Sequence, residues 1–509
     1  PLTLAPGKRM RRLPRGCAAT LVAITAVVSA ISLARTPPRG GLQFSSSLGG
    51  VPISSSLQPI AWPPPHALDT TSGQPLLFST TASTGIGRLP CLRTWLNLSH
   101  LARRDISVSA WTQPRRAAQA EFTLARGREA EFTASQSVRS RDLTLEAFWA
   151  RATDASAELV YHSAPVTSWG DASLAAEVEG ALDLLAIADA PSDVSAAEWP
   201  SSSGPIAWMG SAGVVATPHY DKSLNLVLQV TGRKRWLLWP PEEIDRGALC
   251  MHPSAHPSRR QVRTPLLDAP AAARAASPAI EATIQPGQIL YVPPFWTHAV
   301  EALTPALSLS VLSPSWTEAV GARLTWPGLP FGRVAAAPAE RAAAVAWYLR
   351  ALLPIASPLM GTAPAPSVRD FAHHLHAARY AHPSDGQAAA AVEAGLEAPN
   401  RDDGDATWRG AACVALRQEV WPSAGGSLPT HAELMAAAQQ VAEHAATSEA
   451  SDATRGRARR LPAAVVRTLL SDYIESIAVW AVGERDVGAL LRELGECRAL
   501  AGEVAKSKE

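Results

Sequence analysis

The sequence predicts a β-barrel or β-sandwich unit with flanking helices, followed by a helical carboxyl-terminal region. Three observations predict it. Residues 204–316 break into short apolar runs ended by Gly and Pro, apolar residues beyond 331 recur at helical spacing, and 47% of the 509 residues are hydrophobic. That content suffices for a sizeable core and excludes a wholly disordered chain. Lys+Arg 46 against Asp+Glu 45 leaves a formal charge of +1. With no basic surplus to hold a phosphate polymer, no nucleic-acid partner is expected.

At the amino end, Met10, Arg11, Arg12 and Arg15 precede an uncharged stretch from Cys17 to Ala34. A basic segment before an apolar block reads as a signal peptide over residues 10–34, with small residues at Val28-Ser29-Ala30 and Ser32-Leu33-Ala34. The run falls just short of the ~20 residues that span a bilayer comfortably, so an uncleaved type II membrane anchor is the alternative. Basic residues are denser before the run than after it. Either form places the body in the secretory-pathway lumen (endoplasmic reticulum or Golgi) or outside the cell. Residues 35–78 are rich in Pro, Ser and Gly and read as a linker. Cys91, Cys250, Cys413 and Cys497 remain after the leader, enough for two disulfides in any of three connectivities. Asn97-Leu98-Ser99 is a glycosylation sequon.

Residues 79–200 are mixed, with a helix expected over Leu143–Ala152 and a strand over Glu158–Tyr161. Leu224–Val230 is a strand, Thr231-Gly232-Arg233 a turn, and Lys234–Trp239 a second strand stopped by Pro240-Pro241. Ile289–Val292, ended by Pro293-Pro294, and Leu307–Leu312 are further strands, and about 242 to 280 reads as a long irregular loop. Ala342–Leu353, His431–Ala446, Pro462–Val482 and Val487–Val504 carry helical spacing, and Thr430 with Glu433 forms a capping box. Residues 331–509 are therefore a helical carboxyl-terminal region.

The chemistry concentrates in Thr217-Pro218-His219-Tyr220-Asp221. Residues two apart on an extended chain point to one side, so His219 and Asp221 aim an imidazole and a carboxylate at a common point. His298, in Phe295-Trp296-Thr297-His298, offers a third ligand just past a strand that opens after Pro286-Gly287. Two imidazoles and one carboxylate on one face of a metal form the facial triad of non-haem Fe(II) oxygenases. Lys234, one of two Lys between residues 9 and 505, opens the strand after the hairpin.

The block from Trp208-Met209-Gly210 through His219-Tyr220-Asp221, Asn225 and Gln229–Trp236 to Trp239-Pro240-Pro241 resembles the JmjC family. It is most similar to the cupin-like branch that contains the asparaginyl hydroxylase of hypoxia-inducible factor. The block Pro286–His298 matches the same family in order and spacing. The resemblance implies a double-stranded β-helix (jelly-roll, cupin) barrel within an oxygenase domain at 79–330. It further implies Fe(II) held by His219, Asp221 and His298, with 2-oxoglutarate and O2 as co-substrates and a protein or peptide as substrate. Lys234 falls where the family pairs a Lys with the distal carboxylate of 2-oxoglutarate, and Asn225 matches and Tyr161 resembles neighbouring co-substrate positions. Thr217, also assigned to the co-substrate, lies one step nearer the first His than the family's Thr. The expected reaction hydroxylates a protein side chain and releases succinate and CO2. Two departures stand out: Ala216 replaces a Thr three positions before the first His, and Ser313 stands where some relatives carry Asn. A catalytically inactive JmjC-like interaction module in the secretory pathway is the alternative reading.

Other residues read more plainly. Lys222 is expected to be a solvated loop residue. Cys250, His252 and His256 are expected to be loop residues rather than a zinc site, and His373, His374 and His376 an exposed helical cluster. The apolar stripes of the last helices are expected to be core, and such helices form homodimer interfaces in some relatives.

Overall fold

The structure is a computed structural model describing residues 51–62, 73–80, 86–113, 120–122, 139–185, 204–245, 249–254, 256, 258–263, 278–315, 317–318, 337–380, 408–418, 430–446 and 461–497. The expected leader at 10–34 lies outside the described residues, as does part of the expected linker. No described helix is long and apolar enough to cross a membrane.

Among the described residues, fifteen strands form two sheets. In chain order they are β1 (Ile53–Ser56), β2 (Ile60–Ala61), β3 (Leu76–Ser79), β4 (Ser107–Gln113), β5 (Ala120–Phe122), β6 (Arg139–Thr144), β7 (Leu159–Pro165) and β8 (Ile206–Gly210). They continue as β9 (Val214–Tyr220), β10 (Leu224–Thr231), β11 (Lys234–Trp239), β12 (Ala279–Ile284), β13 (Gln288–Val292), β14 (Thr297–Ala302) and β15 (Ala306–Ser313). From β8 onward successive strands alternate between sheets, except that β11 and β12 are neighbours in one. One sheet runs β8-β15-β10-β13 at its centre and the other β9-β14-β11-β12. That alternation is the double-stranded β-helix expected from the sequence.

The strands are apolar on both faces because both faces are covered. Along β10, Val227 packs inward with Trp236, Leu238 and Trp296. Its neighbours Leu226, Leu228 and Val230 pack outward under the amino-terminal helices, against Phe148 and Leu174. Those helices include α1 (Pro90–Thr94), α2 (Leu98–Ala102), α3 (Leu145–Thr153) and α4 (Ala172–Leu185). Helix α3 starts after Leu143 because Leu143 still belongs to β6, and the Thr144 hydroxyl caps the helix by accepting from Ala147 N at 3.1 Å. Asn97 caps α2 in the same way, accepting from Ser99 N at 3.1 Å, and is exposed.

On β11 the same alternation sends Trp236 and Leu238 inward and Leu237 and Trp239 outward. The outward pair meets the carboxyl-terminal helices. After the short α5 (Glu242–Asp245) these are α6 (Pro338–Ala356), α7 (Val368–Arg379), α8 (Ala411–Arg417), α9 (His431–Ala446), α10 (Ala463–Val482) and α11 (Val487–Glu496). Their apolar stripes are core, as expected: Tyr348, Leu349, Leu469 and Ile474 share one cluster with Val215, Leu237, Trp239 and Ala299 of the barrel. The capping box before α9 forms, with Thr430 N donating to Glu433 Oε2 at 2.7 Å.

Three expectations are corrected. Part of the expected 35–78 linker is strand: β1 pairs with β12 and β3 with β13. Strands of four residues or fewer carry too few apolar residues to stand out, so Pro and Ser around them hide the signal. The expected 242–280 loop ends in β12, which pairs with β11. Of two possible disulfides one forms, Cys413–Cys497, at a Cα separation of 5.4 Å. Cys91 packs under the amino-terminal helices, whereas Cys250 lies between Leu249 and Met251, which belong to the opposite core. The barrel therefore stands between those two thiols.

Candidate metal centre

His219 lies near the end of β9, Asp221 just past it, and His298 is the second residue of β14. The antiparallel register sets His219 directly across from His298, with ring centroids 4.3 Å apart. Asp221 Oδ2 stands 3.8 Å from His298 Nε2. One ligand atom from each residue lies within 4.8 Å of the others, close enough to converge on one cation.

Local backbone features aim this group. His219 pairs with His298 but Ala216 with Val300, so three steps on β9 match two on β14 and a bulge falls at Thr217-Pro218. Among the described residues, two that are not glycine have positive φ, Arg260 at 71° and Phe295 at 64°. Both hold the metal segment: Tyr220 N donates to Arg260 O at 3.1 Å, and Phe295 N to Asp221 O at 2.7 Å. Backbone strain of ~1–3 kcal/mol per residue is thus concentrated around the triad.

The two histidines are oriented alike. His219 Nδ1 lies 2.8 Å from Thr217 O and His298 Nδ1 3.0 Å from Trp296 O. A carbonyl can only accept, so each Nδ1 carries the proton and each Nε2 lone pair is left for a ligand. Asn225 Nδ2 donates to Asp221 Oδ2 at 3.2 Å, and Ser310 Oγ donates to Asn225 Oδ1 at 3.1 Å, so the carboxylate is itself held. Burial, then His219, push the His298 pKa down to about 4, partly offset by Asp221. Burial works against the Asp221 charge, but His298, His219 and Arg260 outweigh it and keep its pKa below the usual value. At neutral pH His298 is neutral and Asp221 anionic, the states that metal ligation requires.

Lys234 shares the inward parity of Trp236 and Leu238 and is 5% exposed. Its Nζ donates to Trp208 O at 3.1 Å and Ser308 Oγ at 2.6 Å, both neutral acceptors. Burial lowers its pKa from 10.5 to about 7. Among the described residues no carboxylate pairs with this buried amine, a setting that favours a bound anion. Tyr161 stands at that end of the barrel. Its ring lies 6.4 Å from Trp208, and it packs with Ala302, the register partner of Lys234. Burial raises its pKa. Thr217 is buried in the bulge and its carbonyl fixes His219, while Ala216 occupies the position three before His219.

Several residues escaped sequence reasoning. Ser308 and Ser310 contact Lys234 and Asn225 from β15. They had a signal: Leu307-Ser308-Leu309-Ser310-Val311 alternates polar and apolar at the period of a strand. Lys222 is not simply solvated, since its Nζ pairs with Asp472 Oδ2 of α10 at 3.3 Å. The bridge between His219 and Gln261 also brings the 251–263 loop onto the metal strand. His252 and His256 stack at 4.0 Å, and His374 Nε2 donates to Asp245 O. Among the described residues the triad is the one group of three or more His, Cys, Asp or Glu arranged for a metal.

Comparison with known proteins agrees with this architecture. Residues 70–316 match the family model described as Cupin-like domain. HSPB1-associated protein 1 homolog of Danio rerio is 35% identical over 120 residues, covering 22% of this chain and 25% of that protein. Jumonji C domain-containing protein 5 of Drosophila melanogaster is 36% identical over 110 residues, 20% of this chain and 26% of that protein. The chain spans about a quarter of the length of these curated relatives. Among solved structures, YcfD, a ribosomal oxygenase from Escherichia coli in complex with cobalt and 2-oxoglutarate, is similar at 14% identity and a TM-score of 0.24, over 47% of each chain. With β8–β15 wound as two interleaved sheets and a matching model over the whole of that winding, residues 70–316 agree with a Cupin-like domain in both sequence and fold.

Proposed function

We propose that the protein is an Fe(II)- and 2-oxoglutarate-dependent dioxygenase that hydroxylates a side chain of a protein or peptide, releasing succinate and CO2. The observation that carries this reading is one barrel interior offering a ready His-Asp-His group and, separately, a buried Lys234 whose partners are neutral. His219, Asp221 and His298 would hold the iron and Lys234 the distal carboxylate of 2-oxoglutarate, with Tyr161 beside it. Bound iron with 2-oxoglutarate supplies the redox chemistry that activates O2.

The chain's own residues prepare that chemistry. The Thr217 and Trp296 carbonyls fix both imidazole tautomers, and Asn225 with Ser310 fixes the carboxylate. Trp236, its ring 5.3 Å from that of His298, helps Val227, Leu238 and Trp296 keep the interior dry. Dryness strengthens the attraction between Lys234 and a dianion. The reading extends to a lumenal or secreted location set by the leader.

Succinate release by the full chain with Fe(II), 2-oxoglutarate and O2 tests the proposal. Turnover, coupled or uncoupled, is expected. A metal-loaded protein silent in both assays would reject it in favour of an inactive interaction module.

A further inference from the structure

Where Asp221 leaves the barrel, a cavity of about 400 Å³ opens beside the metal loop. Tyr220 and Lys222, the neighbours of Asp221, line it from the barrel, Arg379 and Asp472 from the helices, and Arg259 and Arg260 from the 251–263 loop. Its charges sort into two groups. Lys222 and Arg379 are neutralised in place, Lys222 by Asp472 at 3.3 Å and Arg379 by Asp472 at 2.8 Å and by Glu475. The remaining lining carboxylate, Glu318, accepts from Ser223 Oγ at 2.7 Å. Arg259 and Arg260 have no carboxylate partner among the described residues.

Arg260 is placed at some expense. It sits at φ 71°, where glycine or asparagine is easier, and its carbonyl holds Tyr220 N. The guanidinium stands near enough for its charge to act on Asp221 and Tyr220. Arg259, which has no ion pair among the described residues, and Arg260, whose charge also reaches Asp221, thus face a cavity lined by both chain neighbours of a candidate metal ligand.

We propose that this cavity is the docking subsite for the protein substrate, and that Arg259 and Arg260 take an Asp or Glu side chain flanking the residue to be oxidised. The proposal rests on the oxygenase reading and adds the substrate class, an acidic segment. Arginine suits the task because its planar fork meets a carboxylate through two hydrogen bonds.

The test uses the full chain loaded with redox-inert Zn(II). The probes are two pools of short fluorescein-labelled Gly/Ser/Ala peptides, one with a fixed pair of Glu and one with a fixed pair of Lys, read by anisotropy. At low salt the acidic pool should bind roughly tenfold more tightly, and the preference should shrink as salt rises. Arg259→Glu combined with Arg260→Asn should abolish or reverse it. Arg259→Glu alone, at an exposed position, should reduce it and covers the case in which the double variant misfolds. Equal binding of both pools, or a preference unchanged in Arg259→Glu and in the folded double variant, would overturn the proposal. Succinate release without peptide is read separately on the wild-type chain. A lost acidic preference with intact release sinks the docking site alone, whereas silent release with an intact preference sinks the oxygenase reading alone.

Discussion

Lys234 and Arg379 are buried cations of nearly equal exposure, 5% and 4%, in two different regions. Among the described residues Lys234 in the barrel interior donates to the Trp208 carbonyl and the Ser308 hydroxyl alone, and burial drives its pKa down to about 7. Arg379, at the junction with the carboxyl-terminal helices, suffers the same burial, but Glu475 and Asp472 outweigh it and raise its pKa. The difference separates two uses of a buried charge. A paired cation is a strut that ties helices together; an unpaired one, held by neutral groups, is on the proposed reading a seat for an anion that arrives later.

Four expected outcomes can break or sharpen that contrast, the largest first. Arg379→Met leaves the buried Glu475 without its cation and Asp472 with Lys222 alone, and should lower stability by ~3–5 kcal/mol in urea unfolding. If it instead spared stability and weakened 2-oxoglutarate binding, the contrast would fail. Removing the Cys413–Cys497 bridge by a double Ser substitution should cost ~2–4 kcal/mol in the same helical region, with calorimetric 2-oxoglutarate affinity unchanged. Lys234→Met should do the reverse, weakening 2-oxoglutarate by ~30-fold while the ligand-free protein melts no lower than wild type.

The fourth is a pH effect. The folded Lys234 pKa, about 7, lies below its usual 10.5, so between these values the unfolded chain binds more protons and the stability contribution rises with pH. The melting temperature of wild type relative to Lys234→Met should therefore climb from pH 7 towards 10.5. A bound dianion favours the protonated amine. Above pH 7 its binding takes up a proton, and affinity should fall by up to about tenfold per pH unit relative to the variant.

The sequence revealed these regions unevenly. The triad was legible because the two-residue spacing of His219 and Asp221 already implies a shared side. Lys234 was legible because lysine is rare in this chain, and β10 and β11 because Gly232 and Pro240 punctuate them. Strand β14 is not, since its opening residues read as a ligand motif just past a strand rather than as a strand of their own. The bulge at Thr217-Pro218 is visible only once β9 and β14 pair. The tie from Lys222 to Asp472 joins residues so distant in the chain that no local spacing marks it, so a loop cation looked solvated. Local periodicity exposes what one strand does, and register between strands exposes the rest.

The outer wall of the β9-β14-β11-β12 sheet has a practical consequence. Val215, Leu237, Trp239 and Ala299 on that wall share one cluster with Tyr348, Leu469 and Ile474 of the helices. The Cupin-like match stops at residue 316, so its border cuts through this shared interior. A recombinant fragment trimmed to that border would carry a wet apolar wall, and light scattering should find it self-associating while the intact chain stays dispersed.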